Sequence, residues 1–84
     1  MHEVSLAHSL FDQTDRARGA HAASTVCTLR VRVGERSGVE ADLFATAFDA
    51  IKDERGYPAA TLQIVSVPGR DLILERIELE VPDV

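Results

Sequence analysis

Thr25–Glu40 reads TVCTLRVRVGERSGVE, and its pattern changes midway. Cys27, Leu29, Val31 and Val33 alternate with Thr28, Arg30 and Arg32. That period of two sends successive side chains to opposite faces of a strand, so Thr25–Val33 predicts a strand with one apolar, buried face. Gly34-Glu35-Arg36-Ser37-Gly38 then stops the alternation, because two glycines and a serine suit a turn. From Glu40 or Ala41 to about Asp53 the spacing becomes helical. Leu43, Phe44, Ala47, Phe48 and Ile51 form a wide apolar stripe that predicts a core-facing helix.

Working outward, Gly56 and Pro58 mark a loop, and Ala60 to Val67 reads as a second strand. A strand–helix–strand unit allows these two strands to be parallel. Pro68-Gly69-Arg70-Asp71 is a short connection into a third strand, Asp71 to Val81. So short a loop predicts a hairpin at 68–71, with the second and third strands as antiparallel neighbours. Toward the N-terminus, Val4 to Arg18 reads as a helix. Leu6, Leu10 and Phe11, flanked by Val4, Ala7 and Thr14, lie at helical spacing. Glu3 in its first turn and Arg16 and Arg18 in its last match the helix dipole, and Gly19 suits the residue after the C-cap. The expectation is an α+β fold of order α-β-α-β-β: a three-stranded mixed sheet with two helices packed on one face.

The third strand does not alternate cleanly. Ile73, Ile77, Leu79 and Val81 share one parity, interrupted by Glu75, while Leu72 and Leu74 have the other. In the second strand, Leu62 and Ile64 oppose Val65 and Val67. Apolar residues on both faces predict a covered helix-free face, and self-association as a homodimer is the simplest cover. The alternative is scattered surface aliphatics.

A chain of 84 residues suffices for one small domain, 1–84. A net charge of −5 leaves no basic face to displace counterions, so nucleic acid is not an expected partner. Cys27 is the only cysteine, which rules out an intrachain disulfide or a four-cysteine zinc site. No apolar run approaches the roughly 18 residues of a membrane span, and the first residues lack a signal-peptide pattern. These features predict a cytoplasmic protein with no membrane partner.

Met1-His2-Glu3 is the segment richest in chemistry. The Met1 amine, the His2 amide and the His2 imidazole form a tridentate unit. The Glu3 amide or carboxylate, or a group from a partner, supplies a fourth donor. Such tetragonal nitrogen sets suit Ni(II) or Cu(II). His8 and His21 read as solvated residues, and Cys27 as a small buried hydrophobe. Glu75, Glu78 and Glu80 read as strand charges. No spacing pairs a nucleophile with a base, so no enzyme is expected.

Met1-His2-Glu3-Val4-Ser5-Leu6-Ala7 and Arg30-Val31-Arg32-Val33-Gly34-Glu35-Arg36-Ser37-Gly38-Val39-Glu40 together resemble the HypA/HybF family of hydrogenase and urease nickel-incorporation proteins. Phe44, Ala47 and Phe48, Val65-Ser66-Val67-Pro68-Gly69 and the closing Glu75–Val81 continue the likeness. The resemblance implies a nickel-binding domain in which Met1, His2 and Glu3 hold Ni(II). It implies a metallochaperone that serves a hydrogenase or urease precursor beside an accessory GTPase. The family also carries a zinc domain, with two Cys-x-x-Cys pairs, between its last two sheet strands. Pro68–Asp71 closes that gap here, so no zinc is expected. Arg36 stands where the family often has Leu, and Ala41 where it often has Pro. The alternative function is a non-metal interaction or scaffold protein that keeps the fold.

Overall fold

A computed structural model describes residues 2–80. Helix α1 (His2–Ala17) and a short 3-10 turn (Ala23–Thr25) lead into strand β1 (Val26–Gly34). Helix α2 (Ala41–Ile51) and strands β2 (Thr61–Val67) and β3 (Leu72–Leu79) follow. This is the expected α+β order, with a three-stranded mixed sheet and two helices. Gly19 adopts φ +58°, the left-handed conformation that ends α1.

The strand order is β2-β1-β3, with β1 parallel to β2 and antiparallel to β3. The hairpin expected at 68–71 is therefore not formed: β2 and β3 run in opposite directions but lie on either side of β1. Two strand spacings amount to about 10 Å. The links from Val67 to Leu72 span that easily at roughly 3.5 Å per residue. A short loop thus limits how far apart two strands lie without making them neighbours. Burial favours the observed order. β1 is the most buried strand, with Val26, Leu29 and Val31 fully buried. In the middle, its backbone groups are paired along both edges.

The Pro68–Asp71 connection must then pass over the end of β1. Three backbone bonds tie it there: Gly34 N–H to the Asp71 carbonyl at 2.7 Å, Glu35 N–H to Val67 at 2.8 Å and Arg36 N–H to Gly69 at 2.8 Å. The backbones nearly touch. A Cβ on Gly34 would come within 2.6 Å of the Gly69 carbonyl carbon, closer still to its oxygen, and within 2.8 Å of the Arg70 nitrogen. The turn residues read from Gly34–Gly38 thus serve the crossing as well as the start of α2.

Two one-residue bulges correct the reading of the strand faces. Between Val26↔Leu79 and Thr28↔Glu78, β1 carries an extra residue, Cys27. The shift turns Val26 into the core and leaves Cys27 half-buried, its thiol donating to the Glu78 carbonyl at 3.3 Å. Between Arg30↔Arg76 and Val31↔Leu74, the extra residue is Glu75 on β3. Leu72 and Leu74 before it, and Ile77 and Leu79 after it, therefore all pack toward the helices. Strict alternation along β3 would instead leave Ile73 and its partners on the open face. That face retains only Ile73 from β3, with Val65 and Val67 from β2 outside the core cluster. Val81 lies outside the described residues.

One core joins the layers. Phe11 of α1 stacks on Phe48 of α2 with ring centroids 4.9 Å apart, and on Tyr57 at 5.2 Å. Ala7, Leu10, Phe44 and Ala60 are buried around them. Leu43 departs from the expected stripe: it is 55% exposed, while Phe44, Ala47, Phe48 and Ile51 are buried.

Gly34→Ala should destabilise the domain by about 2–3 kcal/mol, because two backbones would have to separate to admit one methyl group. Gly38→Ala meets no neighbour but sits at φ +79°, so it should cost less, about 1 kcal/mol. Urea unfolding of the two variants checks the order.

Candidate functional site

Helix α1 begins at His2, and His2 is exposed. The first backbone N–H groups of a helix have no carbonyl four residues earlier, so the amides of His2 and Glu3 are free of the helical ladder. Removing their protons breaks no helical hydrogen bond. The positive end of the helix dipole also favours the negative charge that results. Met1, the third residue of the expected donor set, lies outside the described residues. Glu3 is half-buried and lines a groove with Val4 and, from α2, Leu43, Thr46, Ala47 and Ala50. The groove has a volume of about 230 Å³.

Among the described residues, no three His, Cys, Asp or Glu side chains gather closely enough to hold a metal. His8, His21 and Cys27 do not join His2. His21 is exposed, and its backbone carbonyl accepts from Arg18 at 2.7 Å. His8 is not the solvated residue expected. It is half-buried, and its Nδ1 lies 3.2 Å from a guanidinium nitrogen of Arg55.

That contact belongs to a polar network linking α1 to the loop after α2. Arg55 donates to Asp12 at 2.5 Å and to Asp15 at 3.2 Å. The Tyr57 hydroxyl donates to Asp15 and accepts from Arg18 at 3.0 Å. Arg55 also lies 5.9 Å from the centre of the Phe11 ring. The hydrogen bond from Arg55 holds the Asp12 carboxyl below its ordinary pKa, and the same bond raises that of Arg55. Burial, and then the bond to Asp15, raises the pKa of the Tyr57 phenol. The partners stand about forty residues apart, so no local spacing signals the network. It runs along α1 from His8 to Asp15 and does not reach His2.

The profile of the family described as hydrogenase/urease nickel incorporation, metallochaperone, hypA matches residues 1–72. The chain belongs to the HypA family. A hydrogenase maturation factor HypA of Paracoccus denitrificans is 33% identical over 95% of this chain and 74% of its own length. One of Cereibacter sphaeroides is 33% identical over 86% of this chain and 64% of its own. One of Deinococcus radiodurans is 38% identical over 82% of this chain and 58% of its own. The chain thus spans between 58% and 74% of these relatives. The solution structure of the Ni metallochaperone HypA from Helicobacter pylori superposes with a TM-score of 0.68 over 88% of this chain and 70% of that one. At 23% identity, that likeness establishes the shared fold. The family's role is metal delivery and not catalysis. Among the described residues, no helix is long and apolar enough to cross a membrane.

Tyr57→Phe should lower stability by about 1–2 kcal/mol, since Asp15 and Arg18 both lose a partner. The pH dependence follows from the two shifts. Asp12 has a depressed pKa in the fold, so its contribution is complete above about pH 4 and is lost as pH falls through the folded value. Tyr57 has a raised pKa, so its contribution is complete below about pH 10 and is lost as pH rises through the folded value. Thermal unfolding from pH 2 to 11 should show both declines, and Tyr57→Phe should flatten the alkaline one.

Proposed function

We propose that this chain carries Ni(II) as cargo at its N-terminus for the maturation of a nickel enzyme, a [NiFe]-hydrogenase or a urease. The Met1 amine, the His2 amide and the His2 imidazole are the core donors, with Glu3 completing the set through its amide or carboxylate. The observation that carries the reading is an exposed His2 opening α1, where the first-turn amides are outside the helical ladder. Membership of the nickel-incorporation family supports it.

Transfer follows from the same donors. Imidazole and amidate bind nickel only when deprotonated, so the site loads as protons leave and unloads as they return. A terminus with an exposed imidazole also lets an acceptor's ligands reach the metal one at a time. The acceptor is a hydrogenase or urease precursor, with an accessory GTPase as a further partner. Pro68–Asp71 stands where the family is expected to insert its zinc domain. We read this stretch as binding no zinc, since Cys27 is the only cysteine of the chain.

Calorimetric titration with Ni(II) tests the assignment on protein that starts at Met1. His2→Ala should weaken binding by at least about a hundredfold, the loss of one first-row metal ligand. Acetylation of the Met1 amine should do the same. Affinity should also fall as pH drops, because protons compete with the metal for its nitrogen donors. Equal affinity in native and His2→Ala protein would end the reading.

A further inference from the structure

The helix-free face of the sheet carries an arrangement that neither folding nor the nickel terminus accounts for. Arg30 of β1 lies directly opposite Arg76 of β3, and Arg32, one row on, is flanked by Ile73 and Val65. Like charges placed opposite each other across two strands are destabilising. Glu75, the bulge residue, relieves half of this: its carboxylate pairs with Arg30 Nε at 3.0 Å. Among the described residues, Arg32 and Arg76 form no ion pair. Arg30, Glu75 and Arg76 line a shallow depression of about 410 Å³. Beside it, Ile73 is 46% exposed. In a chain of net charge −5, this is a local cationic surface with an apolar border.

The geometry points to a docking site for an acidic segment of a partner protein. One carboxylate would lie between Arg30 and Arg76, a second would reach Arg32, and an aliphatic side chain would cover Ile73 and Val65. Charge complementarity selects this occupant. A guanidinium presents paired donors that match a carboxylate, and two free guanidiniums one row apart match acids about 7 Å apart on an extended peptide. A nucleic acid or an anionic bilayer would need a wider basic surface. Here Glu78 closes the next row, opposite Thr28. A second copy of this face would set Arg against Arg. Where the site borders α1, Glu75 and Arg76 lie beside Ala17, at the opposite end of that helix from His2, so a docked partner leaves His2 accessible. It does not depend on the nickel assignment.

Fluorescence anisotropy with a labelled octapeptide of glutamate and leucine, titrated with the full chain at 0.1 M salt, tests it. Saturable binding should weaken by at least about tenfold in R32E/R76E, the equivalent of one charge-assisted contact. R32K/R76K should bind at an intermediate level, because lysine keeps the charge and loses the fork. Asp49→Lys on α2, away from this face, should bind as the parent does. Amide chemical-shift changes in the unmutated chain should centre on Arg30–Arg32 and Ile73–Arg76, which removes any dependence on whether a variant folds. Absence of saturable binding would overturn the proposal. So would equal affinity in R32E/R76E, shifts confined to the helices, or displacement of the peptide by a single-stranded oligonucleotide at lower concentration.

Discussion

The peptide between Gly69 and Arg70 rests on Gly34, and the topology of the sheet depends on that contact. β1 must be central if its buried side chains are to lie under both helices and its backbone is to be paired on both edges. Once β1 is central, the chain between β2 and β3 has to cross its end. Crossing brings two backbones together with no room for a Cβ, and the hydrogen bonds of Gly34, Glu35 and Arg36 hold the crossing in place. The same residues turn the chain toward α2. One glycine thus connects the order of the strands to the placement of the helix that covers them.

The bulges at Cys27 and Glu75 act on a smaller scale with a large effect. Each inserts one residue, and one residue exchanges the two faces of a strand. Without the Glu75 bulge, the aliphatics at either end of β3 would point to opposite sides of the sheet. With it, four of them reach the core, and the open face becomes mainly polar. The bulge also brings a carboxylate beside Arg30, where two arginines face each other across the strands. Core packing and the character of the outer surface are therefore set by the same irregularity.

The two ends of α1 do different work. Its C-terminal half is locked to the rest of the molecule by Phe11, by the Asp12 and Asp15 bonds to Arg55, and by the link from Asp15 to Tyr57. Its N-terminal turn presents His2 to solvent. A helix anchored in this way holds its first turn in one place while His2 stays exposed. This division suits the proposed site, which would both take up and surrender a metal. It also explains why the polar network and the proposed nickel donors share a helix without sharing a residue.

The elements, their order and the segment that holds the candidate donors are all legible in local pattern. Period-two and helical spacing depend on neighbours a few residues away, and Met1-His2-Glu3 is contiguous. The strand faces on either side of Cys27 and Glu75 escape local pattern for the same reason: a bulge is an agreement between two strands about fifty residues apart, and alternation along one of them cannot report it. The Tyr57–Asp15 and Arg55–Asp12 bonds are equally silent in local pattern. Strand order was not legible either. A four-residue loop is compatible with adjacent strands or with strands one position apart. Only the tertiary structure chose between these, because burying β1 from both sides is a property of the whole packed domain and of no single segment.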